Sequence, residues 1–399
     1  MKTLVALFLF GVAAHAASPV AVTAVGHEYR QDDLPSITAS PDGSLWVAWL
    51  SFSGERDDIG LRRFQNGRWG NLLWVPGVSG DVWLPQVAAD SAHGVRVVWS
   101  QQVKGNWDLY ARHFDPERQE WGALERLTSD PLPDINPRLW SDGKGRAALV
   151  WQGFRGKNSN IFLKTLEGDG WSPDIRVTSH AANDWEPAVA LDRAGNAWVA
   201  YDSYKNGNYD VFLARAAGGH LLDAEIPVAA SPAFEARATV AVDNADRVWV
   251  AWESGPANWG KDNGYIVRDR LIGTPLDGGG KMRAQVRWYE NGRWREPAAP
   301  LAFPGRSSHH PHVFSDASGS VWVAAKVCIQ PGRKELPPVD GYQPAYKGGW
   351  WEYAVTRFLG GGWTDAIVLP DSRGRLSTRI SAMATADSVL HLAWPAEER

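Results

Sequence analysis

Leu34–Trp49 reads LPSITASPDGSLWVAW, and its pattern decides the fold. A Pro opens a short alternating segment, an Asp-Gly turn follows, and an apolar run ends on an aromatic residue. Such a unit reads as a β-hairpin, because Asp and Gly tolerate the backbone angles of a tight turn and the flanking residues alternate with period two. The unit recurs as Leu84–Trp99 (LPQVAADSAHGVRVVW), Asn136–Trp151 (NPRLWSDGKGRAALVW), Glu186–Tyr201 (EPAVALDRAGNAWVAY), Arg237–Trp252 (RATVAVDNADRVWVAW) and His310–Ala325 (HPHVFSDASGSVWVAA). A seventh copy, Arg379–Trp394 (RISAMATADSVLHLAW), ends the chain. The first four copies recur every 50 to 52 residues, as Pro35, Pro85, Pro137 and Pro187 show.

That period suits a four-stranded propeller blade. Strand A is the Pro-led segment and strand B the apolar run. Strand C is the run typified by Asp58 to Leu61, Asp108 to Ala111, Asn160 to Leu163 and Asp210 to Leu213. A turn and a Trp introduce strand D, as at Gly67-Arg68-Trp69 and Gly170-Trp171. Helical periodicity is absent. The expectation is an all-β, seven-bladed β-propeller, with six blades as the alternative. The recurring Trp49, Trp99, Trp151 and Trp252 are expected to fill the layers between blades.

Blades five and six carry insertions between strands B and C, near residues 255–281 and 330–349. Ser18 to Thr23 is similar to the strand D segment Ser172 to Thr178. An N-terminal strand is therefore expected to complete the last blade and close the ring, which removes open strand edges. The seventh copy stops just after strand B, so that blade is expected to be short of one strand or to continue past Arg399.

Lys2, the apolar run Leu4 to Ala14 and the small-x-small site Ala14-His15-Ala16 read as a secretory leader over residues 1–16, too short to span a bilayer. The alternative reading of this stretch is a buried N-terminal strand. Residues 17–399 are then expected to form a single propeller domain, periplasmic or extracellular and monomeric, with no membrane span. The net charge of −4 argues against a nucleic-acid partner. The single cysteine, Cys328, excludes an intrachain disulfide.

The run SPDGSLWVAW followed by GERDDIGL, and DRAGNAWVAY followed by NGNYDVFL, are similar to the repeats of TolB-type propellers. That resemblance covers most of the chain and implies the fold; such propellers serve as scaffolds, binders and enzymes. Ser40-Pro41-Asp42-Gly43 alone keeps the full turn motif, and blades five and six lose the Asp-Ile pattern. The Asp-led turns also resemble the Asp boxes of sialidases, although the Arg-Ile-Pro motif near a sialidase N-terminus is missing.

In a propeller the D–A and B–C loops ring one mouth of the central channel. This places Trp83, Trp185, Glu186, Arg237, His309, His310 and Arg379 there, with Trp259, Lys261 and Asp262 from the blade-five insertion. Aromatic faces with carboxylates and guanidinium groups suit a carbohydrate or peptide ligand, or another exported protein. Asp58, Asp108, Asn160 and Asp210 recur at one blade position and are read as turn caps. Strict alternation along strand A sends His310 and His312 one way and His309 the other, which argues against one metal site built from all three. No metal or cofactor is expected. Propeller-type polysaccharide lyases resemble this architecture and use His with Arg or Tyr; no motif here matches them residue by residue. Two function classes therefore stand: a binding or interaction module, and a carbohydrate-active hydrolase or lyase on the same face. The lack of a nameable acid/base pair favours the first.

Overall fold

The computed structural model describes residues 2–8, 20–89, 94–168, 170–257, 282–316, 318–329, 350–373, 379–385 and 389–396. The described residues are all-β, and their sheets form a propeller. Blade one shows the plan: Gln31–Ala39 is innermost, followed outward by Leu45–Phe52, Asp57–Gln65 and the short outer pieces Arg68–Trp69 and Leu73–Trp74. The innermost strands of the next five blades are Val82–Ala89, Asp134–Ser141, Asp184–Leu191, Phe234–Val242 and Ser308–Ser315. Every neighbouring pair within a blade is antiparallel.

Six blades are each one continuous stretch of chain, so six rather than seven is the number of self-contained blades. The seventh copy makes no blade of its own because it supplies only Ser381–Ala384 and Leu390–Ala396. These two strands lie in a closing sheet with both N-terminal strands, in the order Val20–Ala24, Lys2–Phe8, Leu390–Ala396, Ser381–Ala384. The expected N-terminal strand is thus present, but at the outer edge. Between it and the seventh copy runs Lys2–Phe8, pairing Leu4 with Ala24 on one side and Leu4 with Trp394 on the other. The strand thought missing is the apolar start of the chain. Cleavage after residue 16 would remove it and leave a vacant place in this sheet.

Apolar clusters fill each interface around the ring. Trp46 and Ala48 of blade one pack with Val97 and Trp99 of blade two. Phe314 and Trp322 of blade six pack with Leu390 and Trp394 of the closing sheet, and Ala393 packs with Val47 and Trp49 of blade one. Trp49, Trp99 and Trp151 are fully buried, and Trp252 is buried to 9% exposure, as the repeat pattern predicts. At the A–B turns the Asp carboxylates lock the hairpins. Asp192, Asp243 and Asp316 accept the indole N–H six residues on, from Trp198 at 3.0 Å, Trp249 at 2.8 Å and Trp322 at 2.9 Å. These turns lie at the blade ends opposite the D–A and B–C loops.

Of the expected caps before strand C, Asp210 holds its turn, accepting from Asn206 at 2.6 Å and Asn208 at 2.9 Å, whereas Asp108 and Asn160 act across strands. Asp108 accepts from Arg126 and Asn160 from Arg176, both at 2.7 Å. Both insertions leave strand B and re-enter at strand C, between Val248–Gly255 and Arg283–Glu290 and between Val321–Ile329 and Trp350–Leu359. Most of their residues, Trp259, Lys261 and Asp262 among them, lie outside the described residues.

One irregularity repeats in all six blades. The register between strands A and B slips at Asp33/Ser36, Trp83/Gln86, Ile135/Arg138, Trp185/Ala188, Ala236/Thr239 and His309/His312. Inside each slip sits a non-glycine residue with positive φ: Leu34, Leu84, Asn136, Glu186, Arg237 and His310, between 47° and 56°. Five of them precede a Pro, which has no N–H for the ladder and is tolerated at a bulge or edge. Left-handed backbone costs of order 1 kcal/mol or more at a residue with a Cβ. Six copies of that cost are held by the ring, and four of the six residues, Leu34, Leu84, Arg237 and His310, line the central cavity.

Trp151 tests the interblade core. It stacks on Phe162 with centroids 5.7 Å apart and donates to the buried Asp134 at 2.8 Å. Trp151→Ala is expected to cost about 3 to 5 kcal/mol in chemical denaturation through the cavity it leaves. Trp151→Phe is expected to recover most of that loss. Equal stability of wild type and Trp151→Ala would contradict the core assignment.

Candidate functional site at the channel mouth

The bulge residues sit where strands A enter the ring, beside the ends of the B strands. A cavity of about 600 Å³ runs along the inner strands, and Arg237, His310 and Arg379 line it. Arg379 is the seventh copy's counterpart of the six bulge residues by sequence position.

The centre of the group is Glu253, at the end of strand B of blade five and fully buried. Arg237 Nη1 donates to Glu253 Oε2 at 2.9 Å. The Nδ1 atoms of His309 and His310 lie 3.6 and 3.9 Å from the same carboxylate, and the His310 backbone N–H donates to it. The alternation reading is therefore corrected. The bulge at His310 breaks the two-residue period, so His309 and His310 converge on one carboxylate. His312 leaves them and donates through Nε2 to the Ala382 carbonyl at 3.2 Å.

Burial pushes Glu253 toward its protonated form, but His310, the His309 hydrogen bond and Arg237 outweigh it and hold the carboxyl below its usual range. Burial drives His310 down to about 4, against the pull of Glu253, so its imidazole is neutral at pH 7. Asp202, on strand B of blade four, is raised to about 7 by burial, opposed by the hydrogen bond from the Arg237 backbone N–H at 2.9 Å. Tyr209 is raised by burial and then by Asp202.

Aromatic rings flank the charges. Trp185 packs on Tyr209 at 5.2 Å, and Trp351 meets His309 edge-on at 5.0 Å. The buried Lys326 ammonium lies 5.5 Å from the Trp351 ring centroid. Glu186 and Arg379 form an ion pair between blade four and the closing sheet. Trp83 belongs to a separate group: it is 45% exposed and its indole N–H donates to Asn136 at 2.9 Å.

The structure thus joins Arg237, His309 and His310, joins Glu186 to Arg379, and sets Trp185 on Tyr209. Tyr209 and Trp351 were not legible as candidates. They share one repeat position, the residue just before the strand C acid, as Trp107 precedes Asp108, Tyr209 precedes Asp210 and Trp351 precedes Glu352. Glu253 and Asp202 occupy rim positions of the B–C ends, yet their burial is a tertiary property. Among the described residues no group of three or more His, Cys, Asp or Glu is placed to hold a metal ion.

No family model matches this chain, and no curated protein matches it. Solved structures do. The PL25 ulvan lyase bound to -[GlcA(1-4)Rha3S]- aligns over 93% of this chain and 95% of its own, at 11% identity and TM-score 0.55. A protein of unknown function from Dyadobacter fermentans aligns over 93% of this chain and 96% of its own, at 10% identity and TM-score 0.50. The sialidase Hz136 aligns over 94% of this chain and 69% of its own, at 13% identity and TM-score 0.46. At these identities the likeness shows the fold alone, an all-β propeller.

His312 gives the site a pH test. Burial lowers it from 6.5 to about 4, so the folded protein holds it neutral. Its contribution is complete above pH 6.5 and is lost as pH falls toward 4. Wild type is expected to lose roughly 2 to 3 kcal/mol relative to His312→Gln over that interval, read by denaturation at each pH. Asp202 acts in the opposite direction between about pH 4 and 7, and it is common to both proteins. A pH-independent difference would contradict the buried neutral imidazole.

Proposed function

We propose that this chain is an exported propeller that binds an acidic polysaccharide at the channel mouth. The observation that carries the reading is the placement of Arg237 and His310 on the wall of one open cavity, with His309 drawn to them through Glu253, Trp351 edge-on to His309, and Trp185 on Tyr209. Guanidinium and imidazole groups match sugar carboxylates, and indole and phenol rings match sugar faces. The full-length likeness to an ulvan lyase supports a carbohydrate ligand. Export follows from the leader-like residues 1–16, whose removal belongs to the same reading. The blade-five insertion, with Trp259, Lys261 and Asp262, is proposed to border the same mouth.

One observation favours a catalytic reading on this site. His310 is neutral at pH 7, and Arg237 acts electrostatically on both it and Tyr209, so the residue types of a His–Arg–Tyr lyase group share this side of the mouth. In β-elimination a base removes the proton beside the uronate carboxylate. That electron pair forms a C=C bond, the C–O bond to the next sugar breaks, and the departing oxygen takes a proton from an acid. His310 is suited to the base, Tyr209 to the acid, and Arg237 to holding the carboxylate. Hydrolysis by paired carboxylates is less well supported, because Asp202 and Glu253 are only 2% and 0% exposed and line no open surface.

The test uses the mature protein with polygalacturonate, polyglucuronate and neutral dextran. Retention of the acidic polymers but not dextran is expected, with about a tenfold loss in Arg237→Lys, whose ammonium cannot reproduce a two-pronged contact. Ultraviolet absorbance from the conjugated uronate is then followed. Its rise with wild type, and a loss of about a hundredfold or more in His310→Ala, would establish the lyase. Retention without absorbance change would establish binding alone. Failure to retain any acidic polymer would overturn both.

A further inference from the structure

One step below the bulge residues, strand A carries Ser36, Gln86, Arg138, Thr239, His312 and Ser381 into the channel wall. Ser36, Thr239, His312 and Ser381 each bond to the backbone of an adjacent inner strand. Arg138 differs. It makes no hydrogen bond or ion pair with any described residue, although it lines the cavity. Three other cavity-lining charges are matched, Arg237 by Glu253, Arg379 by Glu186, and Asp142 by Arg146, and Lys144 is exposed on an A–B turn.

Burial lowers Arg138 to about 10, which leaves it charged at neutral pH. Its electrostatic influences are repulsive: it disfavours the charged forms of His312 and Arg379. A half-buried guanidinium that faces a cavity is well placed to take a counter-charge, and its planar fork fits oxyanions with two parallel hydrogen bonds. The described protein supplies none, and the cavity leaves room for one.

We infer that the channel holds a small oxyanion — a sulfate, phosphate or carboxylate group — on Arg138, with Arg379 and His312 beside it. Free inorganic ions and the acidic substituents of a glycan share this chemistry. The inference is independent of the mouth chemistry proposed above, since Arg138 has no part in the His310 group.

The experiment is thermal melting of wild type and Arg138→Gln in sodium sulfate, phosphate, acetate, or galacturonate, each against sodium chloride of equal ionic strength. Wild type is expected to show a saturating rise of about 2 to 4 °C with at least one of these anions. Arg138→Gln is expected to keep only the shallow, unsaturating slope that excluded salts give any protein. Its melting point in chloride should equal or exceed that of wild type, which also shows that it folds. A response to sulfate or phosphate assigns a free ion, and a response to galacturonate alone assigns a sugar-borne group. Identical responses of the two proteins in every salt, or no saturable rise in wild type, would overturn the site. Loss of polymer retention at the mouth with an intact Arg138 response would leave this site standing.

Discussion

The ring depends on how its innermost strands satisfy their free edges. In a sheet each strand pairs on both sides, but the first strand of a blade has a neighbour only on the outside. Its inner N–H and C=O groups would face the channel unpaired, at a cost comparable to a lost hydrogen bond for each buried group. Here side chains from the next strand around the ring take that role. Ser36 accepts from the Val87 N–H at 3.1 Å, Ser381 from the Ile37 N–H at 3.1 Å, and Thr239 from the Val313 N–H at 3.1 Å. His312 closes the same circuit between blade six and the closing sheet. Each bond is modest, on the order of 1 kcal/mol net. Together they fix the stagger between inner strands, and with it the shape of the channel.

That stagger sets the site. The bulge in each strand A, before a Pro in five of the six, places one residue per blade in left-handed backbone, and in blades one, five and six the bonded position two residues on anchors it. Chemistry at this level varies while geometry does not. Leu34 and Leu84 are apolar, whereas Arg237, His310 and Glu186 carry the polar groups. The charged side of the mouth therefore falls on blades four to six and the closing sheet, where Glu253 gathers Arg237 and both histidines. A buried carboxylate so enclosed also keeps His310 oriented, since its backbone N–H and its ring address the same acid.

Much of the fold was legible because the A–B hairpin repeats with constant length, and constant length means constant register. The closing sheet was half legible. Ser18 to Thr23 resembles an outer strand, and Val20–Ala24 is one, but a leader-like apolar run and a buried strand have the same composition. Read as a leader, Lys2–Phe8 leaves the last sheet a strand short; in the fold it fills that place. At the site, Arg237, His309 and His310 were visible as polar departures from an apolar repeat. Their convergence on Glu253 was not, because strict alternation assumes a regular strand and each strand A contains a bulge. Tyr209 and Trp351 sit outside the A–B hairpin, at the position before the strand C acid that Trp107 also holds, where reading the acids alone passed over them.

The central claim is that the bulge-positioned residues of blades four to six form one ligand site. The most direct measurement is a crystal structure of the protein with a uronate tetrasaccharide. The account predicts sugar density across the mouth, with a carboxylate within hydrogen-bonding distance of Arg237 or His310 and a sugar face against Trp185 or Tyr209. Oligosaccharide ordered only at the opposite face, on the A–B turns around Asp192, Asp243 and Asp316, would contradict it.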